Sequence, residues 1–263
     1  MEINIGDFVT RKSYNNDTVF KVVNIKNNTY YLKGVEVRLY ADSDLGDLEK
    51  CQEPMEEEIG DFNRNRDVVE KDDYFYLPGK ILHIDGDSEY LDKCLKYYKS
   101  IGVYAIGKRV KEEDMYEQIG ALLNEYKPDI VIITGHDAFY KKKGSANNID
   151  NYKNTKNFIK AIKVARNYEK SHEKLVIIAG ACQSDYEELI KAGANFASSP
   201  KRINIHALDP AIIAVNVALT ERNREIDLKK ILEKTKYGKA GMGGILSNGL
   251  MYVGYPRQWI LIL

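Results

Sequence analysis

The chain has 263 residues, 44% of them hydrophobic, which allows one sizeable core and a small satellite unit. Lysine plus arginine and aspartate plus glutamate both number 39, so the formal net charge is zero and no basic surplus argues for nucleic acid as a partner. No apolar run is long enough to span a membrane and the first residues lack signal-peptide order, so the expected place is the cytoplasm.

In chain order, residues 1–48 read as short alternating runs at 19–25, 30–32 and 35–39, punctuated by Asn27-Asn28 and Lys33-Gly34. This pattern predicts a small antiparallel β-barrel of SH3-like size. Residues 49–73 hold ten acids against four bases and few apolar groups, the composition of a solvated linker. From residue 74 to 263 apolar runs alternate with amphipathic stretches, which predicts an α/β domain with a mainly parallel sheet flanked by helices. Strands are expected at 81–84, 103–106, 130–134, 175–179 and, briefly, 196–199.

Between the strands, Leu91, Cys94, Leu95 and Tyr98 share one helical face, which makes Cys94 a core residue. A second helix buries Met115, Ile119, Leu122 and Tyr126 before Pro128, and a crossover helix buries Phe158, Ile162 and Ala165. Ser184 and Glu187 form a capping box, so a helix should begin directly after Cys182 and stop at Gly193. Asp209-Pro210 opens an apolar helix to about residue 219, and Asp227 opens another that ends at Gly238. The glycine-rich tail, 241–263, reads as turns and a hairpin.

Two runs carry chemistry: Val131-Ile-Ile-Thr-Gly-His136-Asp137 and Leu175-Val-Ile-Ile-Ala-Gly-Ala-Cys182-Gln183-Ser184. Each is an apolar strand followed by a small-residue turn, and each turn delivers a side chain capable of proton transfer or nucleophilic attack. The intervening chain is long enough for a crossover helix, so both groups are expected at the carboxyl edge of one sheet, where open α/β sheets bind ligands. A helix beginning after Cys182 and a nearby imidazole would lower the thiol pKa, making Cys182 a nucleophile and His136 its acid/base. The backbone N–H groups of Cys182, Gly135 and Asp137 are the oxyanion candidates. On spacing alone, a buried structural cysteine and a hydrogen-bonded turn histidine remain the alternative. No two histidines and no His/Cys set have zinc spacing, so no metal and no cofactor is expected. His83 reads as a satisfied core residue, His172 as solvated, and His206 as a neighbour of the active edge.

The local words around the two groups resemble the caspase, gingipain and legumain clan of cysteine peptidases, in which Ala-Cys-Gln follows an aliphatic run and a histidine lies upstream. One departure is that Gly135 precedes His136, whereas in that clan a glycine usually follows the histidine. A closer resemblance covers almost the whole chain. Ile5-Gly-Asp-Phe-Val-Thr-Arg-Lys-Ser-Tyr14, Val35-Glu-Val-Arg-Leu-Tyr-Ala-Asp-Ser-Asp44, Pro78-Gly-Lys-Ile-Leu-His-Ile-Asp-Gly-Asp87, Ile133-Thr-Gly-His-Asp-Ala138, Ala179-Gly-Ala-Cys-Gln-Ser184, Ala192-Gly-Ala-Asn-Phe-Ala-Ser-Ser-Pro200 and Asn204-Ile-His-Ala-Leu-Asp-Pro210 are similar to the YabG family of sporulation-specific proteases.

That resemblance implies a cysteine endopeptidase of the mother cell of a sporulating bacterium. It implies protein substrates of the spore coat and of germination, cut preferably after arginine, and His136 and Cys182 stand where the family's motifs put the dyad. An arginine side chain entering a pocket needs a carboxylate, and Asp85 and Asp87, just after the first strand of the α/β domain, are the substrate-binding candidates, with Asp137 third. Ser198 and Ser199 are expected to line the pocket wall and to offer backbone pairing to an extended peptide. Arg64 and Arg66 in the linker are candidate self-cleavage points. A small-molecule amidase on the same dyad and a non-catalytic α/β protein of the spore coat are the competing readings. Oligomeric state is not encoded in any of these features.

Overall fold

A computed structural model describes residues 2–54 and 73–257. The first unit is an antiparallel sheet of β1 (Phe8–Arg11), β2 (Phe20–Lys26), β3 (Thr29–Gly34), β4 (Tyr40–Asp44) and β5 (Leu48–Lys50). The order is β4-β3-β2-β1-β5, and among the described strands no pairing joins β4 to β5. Asn27 and Asn28 both take positive φ, 50° and 63°, in the tight turn between β2 and β3, where asparagine tolerates the left-handed region. Ile3, Val9, Phe20, Val22, Tyr30, Leu32, Val37, Leu39 and Leu48 fill a separate small core. The sheet runs through Lys50, past the expected boundary at 48.

The strand expected at 35–39 does not form. Its apolar members Val37 and Leu39 pack into the small core, but its backbone leaves β3 and β4 and makes one antiparallel bridge, Val37 to His206, with the second unit. Alternation predicts the burial of Val37 and Leu39 but neither the partner nor the full burial of Arg38.

The second unit begins with β6 (Phe75–Leu77) and continues as β7 (Ile81–Asp85), α1 (Ser88–Ile101), β8 (Ala105–Arg109), α2 (Met115–Tyr126), β9 (Ile130–Thr134), α3 (Thr155–Tyr168), β10 (Val176–Ala179), α4 (Tyr186–Lys191), β11 (Phe196–Ser198), α5 (Asp209–Leu219), α6 (Leu228–Glu233), β12 (Met242–Gly244) and β13 (Tyr252–Gly254). Its main sheet has the order β12-β11-β10-β9-β7-β8. The strands are parallel except β12, which runs antiparallel beside β11. Chain order reverses between β7 and β9, the position at which doubly wound sheets open a crevice at their carboxyl ends.

Strands β7, β9 and β10 are buried along their whole length because helices cover both faces. Alternate residues go to opposite sides. Ile81, Ile130, Ile132, Val176 and Ile178 join α1 and α5 in one core, while Leu82, Ile84, Val131, Ile133 and Ile177 join α2 and α3 in the other. The expected contacts of Cys94, Met115, Ile119, Phe158, Ile162 and Ala165 are all buried; in α2, Leu123 takes the buried place expected for Leu122.

The tail differs from the expected hairpin. β12 completes the main sheet and β13 pairs with β6, so the two tail strands serve different sheets. Helix α6 ends at Glu233, short of Gly238, and Asp209 lies inside the first turn of α5 with Leu208 as its cap. Among the described residues no helix is long and apolar enough to cross a membrane.

Candidate active site

Asp85 closes β7, His136 lies two residues beyond β9, and Cys182 lies three beyond β10. Since β9 pairs with both β7 and β10, the three share the carboxyl edge of the sheet, on neighbouring strands.

His136 is fixed by three bonds. Its backbone N–H donates to Glu112 Oε1 at 2.7 Å, its carbonyl accepts from Asn154 Nδ2 at 2.8 Å, and its Nε2 lies 3.0 Å from Asp87 Oδ2. The ring meets Tyr40 edge-on at 4.5 Å between centroids and Tyr90 at 5.6 Å. Nδ1 is buried with no hydrogen-bond partner among the described residues. With Nε2–H given to the carboxylate, the Nδ1 lone pair is the one able to take a proton.

Asp87 serves three neighbours at once. Its carboxylate caps α1 by accepting from Glu89 N at 2.9 Å and Tyr90 N at 3.2 Å, receives Lys33 Nζ at 2.8 Å, and holds His136. Burial pushes its pKa up, but the bonds from His136 and Lys33 outweigh this and hold it well below the usual carboxylate range.

Asp85 is fully buried and already occupied. Its Oδ2 receives Arg38 Nη1 at 2.5 Å and Thr134 Oγ1 at 2.8 Å, while Oδ1 receives the Asp87 N–H at 2.8 Å. Burial raises its pKa and the Arg38 guanidinium overrides that, leaving it well below the ordinary range. Arg38 comes from the 35–39 stretch of the first unit, so a cation of the chain itself fills the carboxylate expected to face a substrate.

Glu112, in the loop before α2, is a site residue that sequence reasoning missed. A side chain at either Gly86 or Gly135 would collide with its carboxylate, 2.3 Å and 2.4 Å from an added Cβ. Two glycines directly after β7 and β9 were the available signal. Lys33, Arg38, Tyr40 and Tyr90 were missed too, because they reach the edge from outside the two runs that carry His136 and Cys182.

Asp137 is buried and its carboxylate is taken up by bonds within the chain. Its Oδ1 accepts from Ala138 N at 2.9 Å and Asn154 N at 2.7 Å; its Oδ2 accepts from Thr155 Oγ1 and, at 2.8 Å, from Ser184 Oγ. Burial raises its pKa despite these bonds. It therefore ties the residue after His136 to the second residue after Cys182.

Ser184 is consumed by that link, so the expected capping box does not form. Helix α4 starts at Tyr186 and is capped by Asp185, whose carboxylate accepts from Glu188 N at 3.4 Å. Ser198 and Ser199 likewise fasten the cysteine turn. Ser198 Oγ donates to Ala181 O at 2.7 Å, and Ser199 Oγ bonds Ile203 O at 2.6 Å and accepts from Gln183 N at 2.9 Å. Their strand edge is taken by β12, Ser198 pairing with Met242, so β11 has no free edge for a peptide.

Cys182 is fully buried. Ile205 N–H donates to its sulfur at 3.3 Å. Burial pushes the thiol pKa up to about 12, the opposite of the expected lowering; the Ile205 N–H and the Arg38 charge offset burial only in part. Tyr90 stands beside His136, and burial raises its own pKa well above the usual phenol value.

The other histidines play supporting parts. His83 Nδ1 meets Tyr98 OH at 2.9 Å and Nε2 meets Thr134 Oγ1 at 2.8 Å, a satisfied core imidazole whose pKa burial lowers. His206 is held by Leu208 N–H on Nδ1 at 3.2 Å, and burial lowers its pKa to about 4. His172 is half-buried where full solvation was expected. No group of three metal-ligating side chains occurs among the described residues. Arg64 and Arg66 lie outside the described residues.

The sequence profile of the family described as YabG peptidase U57 matches residues 4–67 and 55–256. The sporulation-specific protease YabG of Bacillus subtilis (strain 168) is 41% identical over 288 aligned positions, covering 98% of this chain and 99% of that one. The chain belongs to the YabG peptidase family. A likeness to the receiver domain of the Francisella response regulator 1452, at 16% identity and a TM-score of 0.35, covers 54% of this chain and 96% of that one and carries no argument about function. The family match runs through the first sheet, the segment carrying Arg38 included, as well as the α/β unit.

Proposed function

We propose that this member of the YabG family is a cysteine endopeptidase of sporulation that cuts protein substrates after arginine, with Cys182 as nucleophile and His136 as acid/base. The observation that carries the reading is the pairing of β9 with β10, which puts the two side chains at adjacent strand ends, with their turns linked through Asp137 and Ser184. Asp87 orients the imidazole so that Nδ1 is the free base. His136 takes the thiol proton, the sulfur attacks the scissile carbonyl, and the imidazolium returns that proton to the leaving amine as a thioester forms. Water then attacks the thioester, its proton passing to His136 and on to the sulfur as the acid product leaves. The backbone N–H groups of Cys182, Gly135 and Asp137 are the donors proposed for the oxyanion.

Asp85 and Asp87 supply the negative charge that an arginine side chain requires. Ser198 and Ser199 act by holding the nucleophile's turn. The substrates of this reading are spore-coat and germination proteins in the mother cell. The linker arginines Arg64 and Arg66 are self-cleavage points; identical intact masses for the wild type and Cys182→Ala after incubation would remove that part. Cleavage of arginyl peptides, read by mass spectrometry, should vanish in Cys182→Ala and fall about 10²–10⁴-fold in His136→Ala. Undiminished cleavage in Cys182→Ala would end the cysteine mechanism.

The burial of Cys182 favours a second reading, a non-catalytic α/β protein of the spore coat in which cysteine and histidine are structural. Iodoacetamide separates the two. A nucleophile labels faster once an arginyl substrate analogue is present and loses that gain in His136→Ala, whereas a structural thiol labels slowly in every case.

A further inference from the structure

We infer that the 36–38 stretch is a built-in substrate mimic, which holds Arg38 in the arginine pocket and covers Cys182 until an arginine-bearing peptide displaces it. The inference rests on the peptidase reading above and deepens it by naming how the site is kept shut.

Arg38 belongs by chain position to the first sheet, yet its side chain is fully buried in the second unit. Nη1 meets Asp85 at 2.5 Å, Nη2 donates to Ala207 O at 3.0 Å and lies 3.7 Å from Cys94 Sγ, and the Tyr90 ring flanks the guanidinium at 5.2 Å. Its Nε is buried without a partner among the described residues. A carboxylate, a carbonyl and an aromatic face around one guanidinium make up an arginine-specific pocket. It lies on the same side of the sheet as Cys94 and Cys182.

The backbone repeats the argument. Ala207 N–H donates to Glu36 O at 2.8 Å and Arg38 N–H donates to Ile205 O at 3.4 Å, around the antiparallel bridge from Val37 to His206. This is the pairing that an extended peptide makes when it adds to an exposed strand. Ile205 is also the residue whose N–H points at the Cys182 sulfur, so the added strand runs directly past the nucleophile. Side chains of the second unit clip the stretch in place: the Tyr90 hydroxyl reaches Gly34 O at 2.6 Å and Val37 O at 2.8 Å, Lys93 Nζ donates to Val35 O at 2.9 Å, and Lys236 pairs with Glu36.

Opening such a pocket by simple withdrawal would strand the buried Asp85 carboxylate, so exchange of one guanidinium for another is the low-cost route. Being tethered, the internal arginine competes at a high effective concentration, which keeps the site shut against weak ligands.

The test uses the full chain with Cys182→Ala, so that binding is read without turnover, and N-acetyl-arginine amide as the probe in calorimetry. The Cys182→Ala chain should bind it weakly. Adding Arg38→Ala, with folding checked by circular dichroism, should tighten binding by about tenfold or more, with the uncharged citrulline analogue at least about tenfold weaker than arginine. A folded Arg38→Ala chain that binds neither compound, or both alike, overturns the inference.

Should Arg38→Ala fail to fold, the otherwise unmodified chain still decides. Excess N-acetyl-arginine amide should speed hydrogen exchange at 36–39 and alkylation of Cys182, the citrulline analogue should do neither, and no response to arginine overturns the inference. Arginine binding by a Cys182-containing Arg38→Ala chain that cleaves no peptide would end the peptidase reading while the pocket stands. Cleavage without arginine binding would do the reverse.

Discussion

After β9 the chain turns through Gly135 to His136, whose side chain keeps 12% of its surface open; after β10 it turns through Gly180 and Ala181 to Cys182, which has none. Both turns follow four- or five-residue aliphatic strands, and both are pinned by side chains of the same unit. The first unit meets them differently: its 36–38 stretch pairs with Ile205, whose N–H points at the cysteine sulfur, whereas it meets the histidine with the Tyr40 ring. The sheet sets where a reactive group stands, and a distant loop sets whether it can be reached.

The sharpest way to break the comparison is Asp85→Ala, which leaves Arg38 as an uncompensated buried cation. Denaturant unfolding should show a loss of about 3–5 kcal/mol, and a loss near zero would mean that the ion pair does not hold the covering segment down. Asp137→Ala uncouples the two turns from each other. It removes charge-assisted bonds to Thr155, Asn154 and Ser184 and should cost about 2–3 kcal/mol, with peptide cleavage falling further than stability alone explains.

Asp87→Ala frees the His136 ring and also removes the partner of Lys33. Loss of the α1 cap should cost about 1–2 kcal/mol and should also flatten the acid limb of the stability profile. Asp85 and Asp87 both titrate lower in the folded chain than in the unfolded one, so their contribution is complete above the unfolded carboxylate value of about 4. It drains away as pH falls below that toward their depressed folded values. Urea midpoints between pH 7 and pH 3 should therefore stay level and then drop, less steeply in Asp87→Ala. The smallest effect belongs to the cysteine side. Ser199→Ala removes a hydroxyl bonded to Ile203 O and Gln183 N and should lower stability by about 1 kcal/mol, with no change in the histidine's environment by NMR.

Much of the sheet was legible because its central strands β9 and β10 are aliphatic runs and the helices α1, α2 and α3 carry a regular apolar stripe. The two groups at its edge were legible for the same reason: each follows such a run within three residues. Pairings that depend on distant chain were not. The 35–39 alternation predicts a strand and cannot say that its backbone will bridge to His206. Ser184 looks like a capping residue until Asp137 claims its hydroxyl, after which Asp185 takes over the cap. Glu112 left only an indirect trace in Gly86 and Gly135, since a carboxylate wedged against two strand ends needs bare backbone on both sides.

The Arg38–Asp85 pair joins the two units through a buried ion pair. A chain shortened to begin near Tyr74 would keep every strand and helix of the larger unit yet present a lone anion in a dry recess. Such a fragment should melt early and recover on addition of guanidinium compounds, so that one borrowed charge decides whether the larger unit can live apart from the smaller.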